Sequence, residues 1–238
     1  MLSIIIPVLN EEKNIEKLNI LIYRSLKNLK FEIVFVDDNS TDNSKDILKK
    51  VCQKFKLTSY IIRKDKERDL SQSCFEGIIK SKYENILIMD GDLQHNPKYI
   101  KKMLKIFYKE KLDIIIGARD FNKKNKEISF IRNAASIILK KLISIFLGSK
   151  TLDPMSGFFI FKKEIYYKNK NKLFGKGYKI LCDLLYSSNN NLVTRDYFIH
   201  LNARKEGYSK MSFSILLNII FFIFLYFIKR TFRMINRK

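Results

Sequence analysis

The stretch NILIMDGDLQHNP, residues Asn85–Pro97, decides how this chain is read. An apolar, β-rich run, Asn85–Met89, empties into Asp90 and Asp92, which flank Gly91. A helix start follows at once, because Asn96 and Pro97 have the order of an N-cap and a first-turn proline. Strand, acidic turn and helix make half of a βαβ unit, and open sheets of such units bind ligands beyond the carboxyl ends of their strands. Two carboxylates at i and i+2 there can face one cation. A hard divalent ion takes a few carboxylate oxygens together with phosphate oxygens and water, and Gln94 adds an amide oxygen. A bare DxD also recurs by chance in Asp-rich turns, so its place at a strand end is what gives it weight. His95, beside Asn96 and Pro97, reads as part of the helix start rather than as a ligand.

Working outward, the same alternation continues. Strands are expected at Leu2–Ile6, Phe31–Val36, Thr58–Ile62 and Asp113–Gly117, with helices at Glu12–Lys27, Asp42–Lys54, Leu70–Ser81 and Pro97–Tyr108. Strands alternating with helices of this length predict a mainly parallel sheet covered on both faces. Beyond it, Phe121–Ile128 reads as a polar loop and Ser129–Leu147 as an amphipathic helix. Strands at Gly157–Phe161 and Val193–Leu201 and a helix at Lys179–Ser188 complete a domain of residues 1–211. Two more strand ends are polar. The first runs into Pro7, Leu9 and Glu11; the second into Asp37 and Asp38, which can accept hydrogen bonds from a base or ribose or else cap the next helix. No GxGxxG and no GxxxxGK[ST] occurs, which excludes the usual dinucleotide and P-loop sites.

The C-terminal segment, 212–238, has a different character. Phe213–Ile228 is interrupted only by Ser214 and Asn218, and the last ten residues carry five positive charges. As a helix, Phe213–Ile228 is about 24 Å long, short of a hydrocarbon core of about 30 Å. It is apolar on all sides, so membrane attachment is expected, with the basic tail on anionic headgroups of the cytoplasmic face. A core or interface helix is the other reading. The whole chain of 238 residues has 46 Lys and Arg against 24 Asp and Glu, a net charge of +22. Such an excess calls for an anionic partner: nucleic acid, a lipid surface or a phosphorylated substrate. Three widely spaced cysteines, Cys52, Cys74 and Cys182, give neither a disulfide framework nor a CxxC metal site. The chain opens on a strand-like run at Leu2, and no secretory signal is expected there.

Taken together, IIIPVLNEE, VFVDDNSTD and IMDGDLQHNP resemble the family 2 glycosyltransferases of the GT-A fold. GARD, FIRN, DPMSGFFIFKKE, GYKILCDLL and ARKEGYSKMS are similar to the polyprenol-phosphate mannosyltransferase, or dolichol-phosphate mannose synthase, group. The resemblance covers about residues 1–212. It implies nucleotide-sugar binding by Pro7, Leu9, Glu11, Asp37, Asp38 and Asp90, and Mg²⁺ or Mn²⁺ on Asp90, Asp92 and Gln94. It places Asp92, Arg119 and Arg132 in catalysis, and the phosphates on Arg119, Arg132, Ser136, Arg204 and Lys210. It implies inverting transfer of a hexose to a polyprenyl phosphate at the cytoplasmic membrane face. Mannose from GDP-mannose comes first, with UDP-glucose or another UDP-hexose as the alternative. A nucleic-acid partner is not expected. Two departures stand out: Leu9 replaces an aromatic residue, and Arg68-Asp69-Leu70-Ser71 replaces Gly-Leu-Ser, which puts an acid near the donor site.

Overall fold

A computed structural model describes residues 1–119, 141–177, 180–188, 192–202, 221 and 223–228. Its strands are β1 (Leu2–Val8), β2 (Phe31–Asp37), β3 (Thr58–Ile62), β4 (Asn85–Met89), β5 (Ile114–Arg119), β6 (Phe158–Lys162) and β7 (Thr194–Ile199). Helices α1 (Ile15–Ser25), α2 (Ser44–Lys54), α3 (Leu70–Lys80) and α4 (Ile100–Lys109) connect the first five strands. Helical residues 141–147 form α5; α6 (Lys163–Asn169) and α7 (Ile180–Ser187) follow β6. Strand boundaries fall within two residues of those expected.

The strands make one seven-stranded sheet in the order β3-β2-β1-β4-β6-β5-β7. Every neighbouring pair is parallel except the two made by β6, which runs antiparallel to both β4 and β5. β1 and β2 pair over their full lengths, so that Val8 and Asp37 end level with each other. The inner strands β1, β2, β4, β5 and β6 are mostly apolar because both their faces are buried, whereas the edge strands β3 and β7 are partly exposed and more polar. Ile4, Ile6 and Val8 pack with α1, α2 and α4. Ile5, Val34, Val36 and Ile88 join the opposite layer, with α3, α5, α6 and α7. Each such aliphatic side chain contributes about 1.5–3 kcal/mol by leaving water. The helix expected at Pro97 opens as one 3₁₀ turn, Pro97–Tyr99, with the Asn96 side chain accepting from the Lys98 N–H at 3.0 Å.

The C-terminal segment enters the described structure only at residues 221 and 223–228, which are helical. Ile223 and Tyr226 are buried in the α3–α7 layer, while Phe221, Phe224 and Phe227 are exposed. On this stretch the expected all-round apolar helix is therefore seated on protein along one side, as the core-helix reading has it, and exposes phenylalanines on the other. Among the described residues no helix is long and apolar enough to cross a membrane. The Phe121–Ile128 loop, most of the Ser129–Leu147 helix and the basic tail lie outside the described residues.

Helix α3 approaches the sheet closely at Gly77. A Cβ there would lie 2.3 Å from Ile5 Cγ2 and 3.1 Å from Val36 Cγ2. Gly77→Ala ought to favour an isolated helix, yet here overpacking should win, at about 1–3 kcal/mol. A thermal melt of this variant is expected to show Tm lowered by about 2–4 °C for each kcal/mol lost.

Candidate active site

The first two strand ends are laced together by hydrogen bonds from backbone to side chain. Ser40 Oγ accepts from the Asn10 N–H at 2.8 Å, and Asn10 Oδ1 accepts from the Thr41 N–H at 2.8 Å. The Glu11 N–H donates to Ser44 Oγ at 3.0 Å, and the Asn43 N–H donates to Glu12 at 2.9 Å. Asn10 and Asn39 take positive φ, 54° and 60°, which asparagine tolerates better than most residues. Pro7 lies within β1, Leu9 just beyond it, and the Glu11 carboxylate receives Asn14 Nδ2 at 2.7 Å. Asp37 is fully buried at the end of β2, where its Oδ1 accepts from the Ser40 N–H at 2.9 Å.

Asp38 follows it and ion-pairs with Arg63, a buried residue just past β3. Burial pushes the Asp38 carboxyl above its ordinary range, and the Arg63 charge offsets part of that shift. The same guanidinium reaches Glu76 at 3.1 Å, Ser73 Oγ at 3.3 Å and the Asp69 carbonyl at 3.2 Å. Arg63 was not legible as a site residue, because nothing in its local sequence marks which of many cations turns inward. Asp69, the acid that departs from the family pattern, caps α3: its carboxylate accepts from the Gln72 N–H at 3.0 Å and the Gly177 N–H at 2.7 Å. Its charge is engaged with backbone, as an N-cap acid's should be.

The acidic loop after β4 sits beside both. A Cβ on Gly91 would meet Val8 Cγ1 at 2.9 Å, so glycine lets this loop lie against the end of β1. A Cβ on Gly157 would lie 2.4 Å from Asp90 Oδ2 and 2.6 Å from Oδ1, so Gly157 leaves the Asp90 carboxylate its space. Asp90 is 37% exposed at its side chain, whereas Asp92 and Gln94 are buried. Asp92 Oδ1 accepts from the Gln94 N–H at 3.0 Å. Leu93 between them has φ of 61°, an uncommon conformation for a leucine. His95 stacks on Phe158, with centroids 5.1 Å apart, and its Nδ1 lies 3.6 Å from Asp90 Oδ2. The expected helix-start histidine thus also packs behind the first aspartate. From the far side, Asn202 donates its N–H to the Gln94 carbonyl at 2.9 Å and its Nδ2 to the Leu93 carbonyl at 3.2 Å.

Arg119, the last residue of β5, meets Asp153 edge-on. Nε and an Nη2 proton each reach the carboxylate at 2.7 Å, and the Arg119 N–H reaches it at 3.1 Å. Burial works against the guanidinium charge, but Asp153 and the nearby Asp90 more than offset it and raise the pKa. Arg119 is therefore a fixed cation at the rim of the acidic loop. Arg132, Ser136, Arg204 and Lys210 lie outside the described residues.

Among the described residues no three His, Cys, Asp or Glu side chains cluster closely enough to hold a metal by themselves. The half-open Asp90 carboxylate over Gly157 fits an ion that brings phosphate oxygens with it, since such ions take few protein ligands.

A mainly parallel sheet of seven strands, with a DxD loop and two further acidic strand ends on one edge, defines a GT-A-like α/β fold. The chain belongs to glycosyl transferase family 2, whose family model matches residues 3–169. It is 32% identical over 212 residues to the dolichol-phosphate mannosyltransferase of Pyrococcus furiosus, an alignment covering 88% of this chain and 58% of that protein. The Saccharomyces cerevisiae protein of the same name is 26% identical over 218 residues, covering 88% of this chain and 80% of that one. Glucosyl-3-phosphoglycerate synthase from Mycobacterium tuberculosis, in complex with phosphoglyceric acid, shares the fold with a TM-score of 0.70 at 17% identity, covering 97% of this chain and 79% of that chain. Its complex with Mn²⁺, UDP-glucose and phosphoglyceric acid matches with a TM-score of 0.68 at 16% identity, covering 87% and 72%.

Gly157→Ala should displace the Asp90 carboxylate without disturbing a helix or a strand interior. The expected outcome is Mn²⁺ binding, titrated calorimetrically with GDP present, weakened by about 10–100-fold while Tm stays near wild type.

Proposed function

We propose that this chain transfers a hexose, in the first instance mannose from GDP-mannose, to a polyprenyl phosphate at the cytoplasmic membrane face, inverting the anomeric centre. The observation that carries the reading is the convergence of Pro7–Glu11, Asp37–Asp38 and the Asp90–Gln94 loop on one sheet edge, with Arg119 beside them. The relatives named dolichol-phosphate mannosyltransferase support the acceptor class, and the fold-level neighbour crystallised with Mn²⁺ and UDP-glucose supports a nucleotide-sugar donor.

In this reading Pro7, Leu9, Glu11, Asp37 and Asp38 receive the nucleoside, with Arg63 holding Asp38 in place. A polyprenyl monophosphate has a second pKa of about 6, so at neutral pH it is largely a dianion and needs no general base. One of its oxygens attacks the anomeric carbon, and the bond to the donor diphosphate breaks with its electron pair on the departing oxygen. The obstacle is repulsion between two phosphate groups. Arg119, held in orientation by Asp153, is proposed to lower it, and Arg132, Ser136, Arg204 and Lys210 to share the task. Mg²⁺ or Mn²⁺ held by Asp90, Asp92 and Gln94 would supply Lewis-acid charge to the leaving diphosphate.

Purified protein incubated with polyprenyl phosphate, Mn²⁺ and a panel of labelled sugar nucleotides should yield labelled lipid from GDP-mannose. Label from a UDP-hexose instead would reassign the donor and leave the chemistry; none from any donor would sink the reading. Asp92→Ala is expected to lower turnover by at least about 100-fold, and EDTA should do the same to the wild type.

Attachment to the membrane rests on the exposed Phe221, Phe224 and Phe227 and on the basic tail. The chain is expected to float with vesicles containing anionic lipid and to bind neutral vesicles measurably less, the difference shrinking as salt is raised.

A further inference from the structure

A second set of buried polar groups lies away from the catalytic edge and ends on it. Asp183, on α7, is fully buried. Its Oδ1 accepts from the Phe174 N–H and its Oδ2 from the Gly175 N–H, each at 2.8 Å. Tyr226, on the C-terminal helix, donates its hydroxyl to the same carboxylate at 2.7 Å and lies 3.0 Å from the Lys172 carbonyl. One carboxylate therefore clamps the start of the 174–177 turn to the C-terminal helix. Gly175 and Gly177 both have positive φ, 71° and 82°, so this turn depends on what holds it.

The other side of the turn is bound by the N-terminus of α3. Gln72 Nε2 donates to the Gly175 carbonyl at 2.6 Å, and Ser71 Oγ donates to the Gly177 carbonyl at 2.7 Å. The Gly177 N–H returns a bond to Asp69. The Asp69 carbonyl accepts from Arg63, whose guanidinium pairs with Asp38. Polar contacts, linked through the 174–177 and 69–72 backbone, thus run from Tyr226 to Asp38 just past β2.

We propose that Tyr226 and Asp183 are positioning residues for the donor side of the site: seating the C-terminal helix fixes the 174–177 turn, and through it the α3 N-terminus, Arg63 and Asp38. The inference rests on the reading of Asp38 as a nucleotide ligand, and its test separates the two. Tyr226→Phe keeps the ring packing and removes only the hydroxyl. Losing one hydrogen bond to a buried carboxylate should weaken calorimetric binding of GDP or UDP, measured with Mn²⁺, by roughly three- to tenfold. Hydrogen exchange should quicken at residues 69–72 and 174–177 but not in α4, which a general loss of stability would also expose. Asp183→Asn should act in the same direction, and a double variant should weaken binding by less than the product of the single effects.

If wild type binds nucleotide and Tyr226→Phe binds it equally well, the proposal is overturned. Should wild type bind neither nucleotide, the donor reading fails by itself. Exchange then decides: faster exchange confined to 69–72 and 174–177 upholds the link, and unchanged or uniformly faster exchange overturns it.

Discussion

The site depends on the reversed direction of one strand. β6 runs antiparallel to both β4 and β5, with Phe158 paired to Met89. Its N-terminal end therefore arrives where the strands beside it have their carboxyl ends. That brings Gly157 against Asp90 and Asp153 against Arg119. Had β6 been parallel, the segment Asp153–Gly157 would sit at the opposite edge, and neither the seat of Asp90 nor the partner of Arg119 would exist. A purely parallel sheet offers only loops that leave strands at its ligand edge, whereas one reversed strand supplies a segment entering there.

Buried carboxylates are costly unless each is satisfied, and this chain satisfies them in different ways. Asp153 has an arginine fork, a geometry that fixes the orientation of both groups. Asp38 shares Arg63 with Glu76, which Lys66 also reaches at 2.8 Å. Asp183 has backbone N–H groups and a tyrosine hydroxyl, an arrangement that binds segments together. Asp90 differs from all three in keeping contact with solvent.

Much of this architecture was legible in the residues. The apolar runs gave the strands, Asn96-Pro97 gave the start of a helix, and the acids followed the strand ends as expected. Three features were not. The inward turn of Arg63 depends on Asp38, 25 residues earlier and just past another strand. Asn202 reaches Leu93 across 109 residues, and Asp69 reaches Gly177 across 108. Local patterns report which face of an element is apolar, but a hydrogen bond across a sheet edge depends on registers that only the assembled fold sets. The substitution of Asp69 shows the difference well: as sequence it placed a negative charge near the donor, and as structure it is a cap that ties down a distant turn.

The same distinction sharpens the meaning of the +22 charge. Cations held against buried acids, Arg63 and Arg119 among them, are fixed in orientation and act at contact distance. Lys54 at 64% side-chain exposure and Lys82 at 78% belong to another kind: their pairs with Glu16 and Glu32 leave them open to water, where charges are screened within about 10 Å. An anionic lipid surface selects for the second kind, since it needs only density of charge; a substrate phosphate bound in one orientation selects for the first. Excess charge of the whole chain thus says little about any one site, where buried carboxylates fix the orientation of individual cations.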